Sequence, residues 1–261
     1  MRMEPKDLAF WQTEGFLHLP RLLESTVRLQ LTGWVEELST LPPGGGRPES
    51  PILQHFEQLG DEVALARTEN LVPNHEGIRS MVTMGPIPAS GSLLMGEPVV
   101  LYKEKVNHKM PGGAGFEPHQ DATAYKFVDL HLTCMIAIDE TTEANGCLEV
   151  SRGHHHALLP TDGDGCIAPD AAADLRWEPV PLGPGDVLWF HSRTPHRSGP
   201  NRTDRPRRAL FLTYNARSQG DLRTAYYQDK IRQLASHERS SRARVSTIGH
   251  FKGLAPETEP A

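Results

Sequence analysis

Thirteen histidines in 261 residues raise the question of a metal site. His119-Gln120-Asp121 is the one His-x-Asp triplet, and chance alone readily supplies one in a chain of this composition. Its setting carries more weight. In a strand, residues two apart share a face, so His119 and Asp121 can grip one ion from one side. His196 lies 75 residues beyond Asp121, in Arg193-Thr-Pro-His-Arg-Ser-Gly-Pro-Asn201, just after the apolar Val187-Leu-Trp-Phe190. Two histidines and one carboxylate on one face of a metal leave octahedral positions open, the donor set of non-haem Fe(II) oxygenases. Arg207 and Arg208 open the strand that follows. A guanidinium binds a carboxylate bidentately and keeps its charge, so Arg207, eleven residues past His196, can reach the far carboxylate of a chelating 2-oxo acid. His191 is the rival of His196, and Arg208 of Arg207. His154-His-His156 looks like a metal tract, but three adjacent side chains cannot all face one ion, which favours a structural role.

Strands must position these groups. Glycine and proline together make up 45 of the 261 residues, punctuation that suits short strands and turns better than a helical bundle. Residues rich in β-formers run over Val99–His108, His119–Tyr125, Leu130–Asp139, Cys147–Ser151, Trp177–Val180, Asp186–His191 and Arg207–Tyr214, separated by glycine-rich turns. Seven or eight short strands argue for a sandwich or barrel. The first 45 residues read as helical, with Val27, Leu31, Trp34, Val35 and Leu38 on one face after Ser25. Pro51–Leu59 and Val63–Val72 are candidate strands, Asn74–Met84 a candidate helix, and Pro86-Ile-Pro-Ala-Ser-Gly91 a breaker. Asp221–Leu234 returns to helix, and the polar tail after Ser240 reads as loose.

The net charge of −6 argues against a chain-wide affinity for nucleic acid. No run approaches 18 apolar residues, so no membrane span is expected. Three cysteines (Cys134, Cys147, Cys166) without zinc-site spacing and a start without an apolar run point to a reducing cytoplasm. Oligomeric state is not legible.

Four segments together resemble the phytanoyl-CoA hydroxylase family of Fe(II)/2-oxoglutarate dioxygenases. They are Phe116-Glu-Pro-His-Gln-Asp121, Asn145-Gly-Cys-Leu-Glu-Val-Ser-Arg-Gly-His154, Gly183-Pro-Gly-Asp186, and His196-Arg-Ser-Gly-Pro-Asn201 through Arg207-Arg-Ala. The resemblance covers about residues 99–217. It implies a mainly β fold with flanking helices, a double-stranded β-helix (a jelly roll, cupin-like). A single domain would span 1–261, with a helical part to about 48, a β-helix core at about 97–217, and a C-terminal helix and tail at 218–261. It implies that His119, Asp121 and His196 bind Fe(II) and are catalytic. Arg207 and Ser198 would then hold the distal carboxylate of 2-oxoglutarate, flanked by Lys105, Asn107 and Phe116. The implied reaction is hydroxylation of a small polar molecule with O2, and an aminophosphonate or an amino-acid-like compound fits. Leu101–Phe116 is especially similar to the branch acting on 2-aminoethylphosphonate.

Tyr102, His108, Thr123, Tyr125, His131, Arg193 and Tyr214 are expected to wall the substrate pocket. Several are polar, which favours a hydrophilic or zwitterionic substrate over an acyl chain. The glycine-rich segment Val106–Phe116 reads as a lid. The competing classes are a cupin-like metal enzyme that does not use 2-oxoglutarate and a catalytically silent binding module. Arg207 and Ser198 count against the first, and the intact triad against the second.

Overall fold

The computed structural model describes residues 3–237, apart from 43, 126 and 129. The tail expected after Ser240 lies outside the described residues. In chain order the strands are β1 (Phe16–Leu19), β2 (Gly46–Arg47), β3 (Ser50–Pro51), β4 (Leu53–Leu59), β5 (Glu62–Glu69), β6 (Val99–Lys109), β7 (Phe116–His119), β8 (His131–Ala137), β9 (Leu148–Val150), β10 (Glu178–Val180), β11 (Val187–His191), β12 (His196–Ser198) and β13 (Arg207–Ala216). The helices are α1 (Pro5–Glu14), α2 (Ser25–Ser39), α3 (Glu76–Thr83), α4 (Pro86–Met95), α5 (Pro169–Ala173) and α6 (Arg223–His237).

Two antiparallel sheets face each other in a jelly roll. The large one runs β1-β11-β8-β13-β6-β5-β4 and the small one β10-β9-β12-β7, while β2 and β3 pair apart. The central strand β8 is buried at every position, which requires cover on both faces. Leu132, Cys134 and Ile136 join Trp189, Leu210, Leu212 and Tyr214 in a core with the buried face of α2 (Leu31, Val35, Leu38) and with α3 and α4. The alternate residues Met135 and Ala137 pack with Leu188, Phe190, Ala209 and the small sheet's Leu148 and Val150. Period-two alternation therefore sends one set of side chains to the helices and the other into the space between the sheets.

Several sequence expectations change. The segment Phe16–Leu19 is a strand paired with β11, so the helical N-terminal part donates an edge to the large sheet. The expected breaker at Pro86 opens α4: both prolines sit in the first turn, where no amide needs an intrahelical acceptor. Gly91 of that helix faces Trp189, where a Cβ would stand 2.8 Å from the indole. Strand β6 continues through Lys109. The turn after it is tied to Asn201, whose carbonyl accepts from Gly112 at 2.9 Å and whose amide donates to Gly113 at 3.0 Å. The segment expected as a lid is thus half strand and half fastened turn.

Burial keeps His55 and His108 neutral, pushing each from 6.5 down to about 4. Between those values the unfolded chain binds protons that the folded chain refuses, so stability present above pH 6.5 is lost as pH falls toward 4. The urea midpoint is expected to drop markedly from pH 7.5 to 5, and less steeply in His108→Gln. An unchanged midpoint would contradict this.

Candidate active site

Strand β12 pairs with β7 so that His196 lies opposite His119, with ring centroids 4.1 Å apart. Asp121 is not in the strand as expected: β7 ends at His119 and Asp121 opens a 3-10 turn. The turn carries its carboxylate back toward the two rings. Asp121 Oδ1 is 3.9 Å from Nε2 of His119 and 3.9 Å from Nε2 of His196. One ligand atom from each residue lies within 4.8 Å of the others, and this is the one such group of His, Cys, Asp or Glu among the described residues.

Backbone contacts aim the donors. His119 Nδ1 is 2.6 Å from the Glu117 carbonyl and His196 Nδ1 3.0 Å from that of Thr194. A carbonyl accepts only, so each Nδ1 carries the proton and each Nε2 presents its lone pair to the centre. The Thr133 hydroxyl donates to Asp121 Oδ2 at 2.8 Å and leaves Oδ1 facing the histidines. Burial lowers the His119 pKa to about 3 and also lowers that of His196. Burial raises the Asp121 carboxyl, yet the groups around it, Lys105 included, hold it well below its usual range. Two neutral imidazoles and one carboxylate therefore converge on one point, a donor set that fits Fe(II).

The cavity between the sheets is lined on its large-sheet wall by Lys103, Lys105, Asn107 and Lys109 of β6 and by Arg207, Phe211 and Thr213 of β13. Arg207 is 3% exposed; its Nη2 donates to the Gly146 carbonyl at 2.5 Å, and its Nε has no partner among the described residues. Gly146 holds a φ of 74°, and a Cβ there would meet the Gly199 carbonyl at 2.2 Å, so this close approach requires glycine. Lys109 Nζ donates to Ser198 Oγ at 2.9 Å and to the Gly199 carbonyl at 2.5 Å. No carboxylate among the described residues is in ion-pair contact with Arg207 or Lys109, and burial pulls Arg207 down to about 10 and Lys109 to about 7. Two buried basic groups in no ion pair and a hydroxyl fit the carboxylate of 2-oxoglutarate. Asn107 accepts from Arg67 Nε at 3.1 Å, and Phe116 lies 5.8 Å beneath the Lys109 ammonium.

Strand parity separates the rivals. Arg208 faces the other way and forks onto Asp139 at 2.8 and 2.9 Å. His191 shares the parity of Trp189 and accepts from the Arg193 amide at 3.0 Å. His154 Nδ1 lies 3.1 Å from Ser151 Oγ, while His155 and His156 stack on each other.

Of the expected substrate walls, Tyr125 lines the cavity. His108 borders it, but its ring, on the Arg208 side of the strands, reaches Thr68 at 3.1 Å. The other five do not line it. Tyr214, one residue past Thr213, points to the helices and donates to the Val82 carbonyl at 2.6 Å. A bulge opposite it leaves Tyr102 unpaired between Leu101 and Lys103 and turns that ring behind Tyr125. His131 is fully buried, 5.0 Å from Tyr125. Thr123 is exposed and bonds to the Gln120 carbonyl. Arg193 points at the His156 carbonyl. Sequence reasoning missed Lys103, Lys109, Thr133 and Glu57. The signal for the lysines is present: Lys-x-Lys-x-Asn-x-Lys over 103–109 places four polar side chains on one strand face. Nothing in the sequence links Glu57 to the site, since the contact depends on how β4 joins the sheet.

A family model described as phytanoyl-CoA dioxygenase matches residues 11–209. A methylphosphonate hydroxylase of Gimesia maris is 46% identical, covering 93% of both chains. A 2-aminoethylphosphonate dioxygenase of an uncultured bacterium is 39% identical, covering 84% of both. In fold the chain is similar to EctD from S. alaskensis, solved with 2-oxoglutarate and 5-hydroxyectoine, at TM-score 0.73 and 19% identity over 83% of this chain and 77% of that one. The chain belongs to the phytanoyl-CoA dioxygenase family, and it is a non-haem iron, 2-oxoglutarate-dependent dioxygenase.

Proposed function

We propose that this enzyme hydroxylates a small phosphonate, with iron held by His119, Asp121 and His196 and the distal carboxylate of 2-oxoglutarate held by Arg207, Lys109 and Ser198. One observation carries the substrate class: the cavity has more positive charge than its cofactors use. Asp121 and one 2-oxoglutarate carboxylate offset the iron, the second carboxylate meets Arg207, and Glu57 shares the cavity with Lys109. Arg197 is taken by Glu149 at 2.7 Å. Lys103 and Lys105 remain. Glu69, the other acid near them, is gripped by Lys230 at 2.6 Å and faces Arg67 at 3.5 Å. Two lysines without an ion-pair partner, both held below their usual pKa by burial and recharged by an arriving anion, suit a group that carries up to two negative charges on one small tetrahedron. The names of the two relatives above support the same class.

When bound, iron, 2-oxoglutarate and O2 supply the oxidant for an unactivated C–H bond, with decarboxylation to succinate and CO2 as one oxygen enters the product. The chain's own residues bind, orient and exclude water. Thr133 keeps Asp121 Oδ1 toward the metal, the Glu117 and Thr194 carbonyls hold both imidazoles in the ligating tautomer, and Phe190, Phe211 and Leu148 keep the cavity wall apolar. The three buried free cysteines fit a reducing cytoplasm, and the net charge of −6 gives no general attraction to nucleic acid.

The test is succinate release with Fe(II) and methylphosphonate, the product being read by phosphorus NMR. Hydroxymethylphosphonate formed with equimolar succinate is expected. Turnover of a carboxylate or an uncharged substrate, with none of any phosphonate, would overturn the reading. Arg207→Ala is expected to weaken 2-oxoglutarate roughly 10- to 100-fold, the scale of a lost charge-assisted bond. Arg208→Ala leaves that affinity unchanged while costing stability by stranding Asp139. Thr133→Val should lower Co(II) affinity, read by absorbance titration, about 10- to 100-fold; an unchanged affinity would remove Thr133 from the site.

A further inference from the structure

Of the two lysines left for the substrate, Lys103 has the more distinctive surroundings. Its ammonium lies 4.2 Å from the ring centroid of Tyr125 and 5.7 Å from that of Tyr226. Tyr102 backs both rings, 5.6 Å from Tyr125 and 4.9 Å from Tyr226. Two aromatic rings facing one ammonium form the arrangement that takes up a ligand ammonium when it stands empty. Here the chain's own lysine fills it. No hydrogen-bond acceptor among the described residues takes the Lys103 Nζ protons, and the side chain lines the cavity that holds the triad.

Helix α6 holds this pair of rings in place. Tyr226 comes from that helix, which is anchored by Lys230 on Glu69 at 2.6 Å, by the Tyr227 hydroxyl donating to the Glu104 carbonyl at 3.1 Å, and by Arg223 forking onto the Glu104 carboxylate. Tyr226 and Lys230 are one helical turn apart, so the contact that seats the helix also seats the ring.

A filled aromatic pair presents N–H donors on a cation. It attracts an oxyanion and repels an amine. Among the described lining residues, the one carboxylate besides Asp121 is Glu57, which already accepts a backbone bond from Ala114. The geometry points to Lys103 as the residue that binds the phosphonate oxygens and selects an amine-free phosphonate over an aminoalkyl one. This rests on the phosphonate reading above and names the substrate's shape and charge within it.

The test is calorimetric binding to zinc-substituted, 2-oxoglutarate-loaded enzyme, which does not turn over. The probes are methylphosphonate and 2-aminoethylphosphonate. Native enzyme is expected to bind methylphosphonate at least about tenfold tighter. Lys103→Met, which removes the ammonium with little change in volume, should lose about tenfold or more for methylphosphonate while 2-aminoethylphosphonate holds or improves. Lys103→Arg keeps the charge and can stack, so it should keep the preference; it also serves if Lys103→Met folds poorly, by thermal midpoint. A native preference for 2-aminoethylphosphonate, or an equal loss for both probes in Lys103→Met, would overturn the inference and leave the phosphonate reading standing. Failure of native enzyme to bind either probe would sink that reading itself.

Discussion

Positive charge buried on one wall of the cavity is the constraint that the rest of the site answers. Lys103, Lys105, Lys109 and Arg207 project from two neighbouring strands into the same space. Burying charges without partners is costly, and burial accordingly drags Lys103 and Lys109 to about 7. Such a wall persists because the surrounding sheet fixes it. The side chains alternate with residues locked into the helix-facing core, so none can turn away without unpacking β6 or β13.

Opposite that wall, the small sheet contributes two histidines on paired strands and a carboxylate in the turn that follows. The small sheet is short and supplies little packing of its own. It positions the triad through backbone carbonyls on each Nδ1 and through Thr133 reaching across from β8. The division of labour is clear: the large sheet supplies charge and rigidity, and the small one the metal donors.

Much of this was legible in the sequence. The strands from Val99 onward are visible as β-rich runs between glycine turns, and the triad and Arg207 as motifs at family spacing. Parity alone separates Arg207 from Arg208 and would also have turned Tyr214 away from the cavity, since Thr213 and Tyr214 cannot share a face. Other features had no local signature. The bulge at Tyr102 appears only when β6 is paired with β13. The helix at Pro86–Met95 reads as a breaker until its prolines are placed in a first turn. Asp121 reaches the metal site from a turn where the pattern suggested a strand, and the two geometries deliver the same pair of ligands.

The central claim is that the buried cations are left to be neutralised by the ligands, and proton linkage measures it. Lys103, lowered to about 7 by burial, is mostly neutral at pH 8.5, and an arriving phosphonate raises it again. Calorimetry of methylphosphonate binding to the zinc- and 2-oxoglutarate-loaded enzyme, in buffers of different ionisation enthalpy at that pH, should register net proton uptake. Binding with no proton exchange, or with release, would contradict the account.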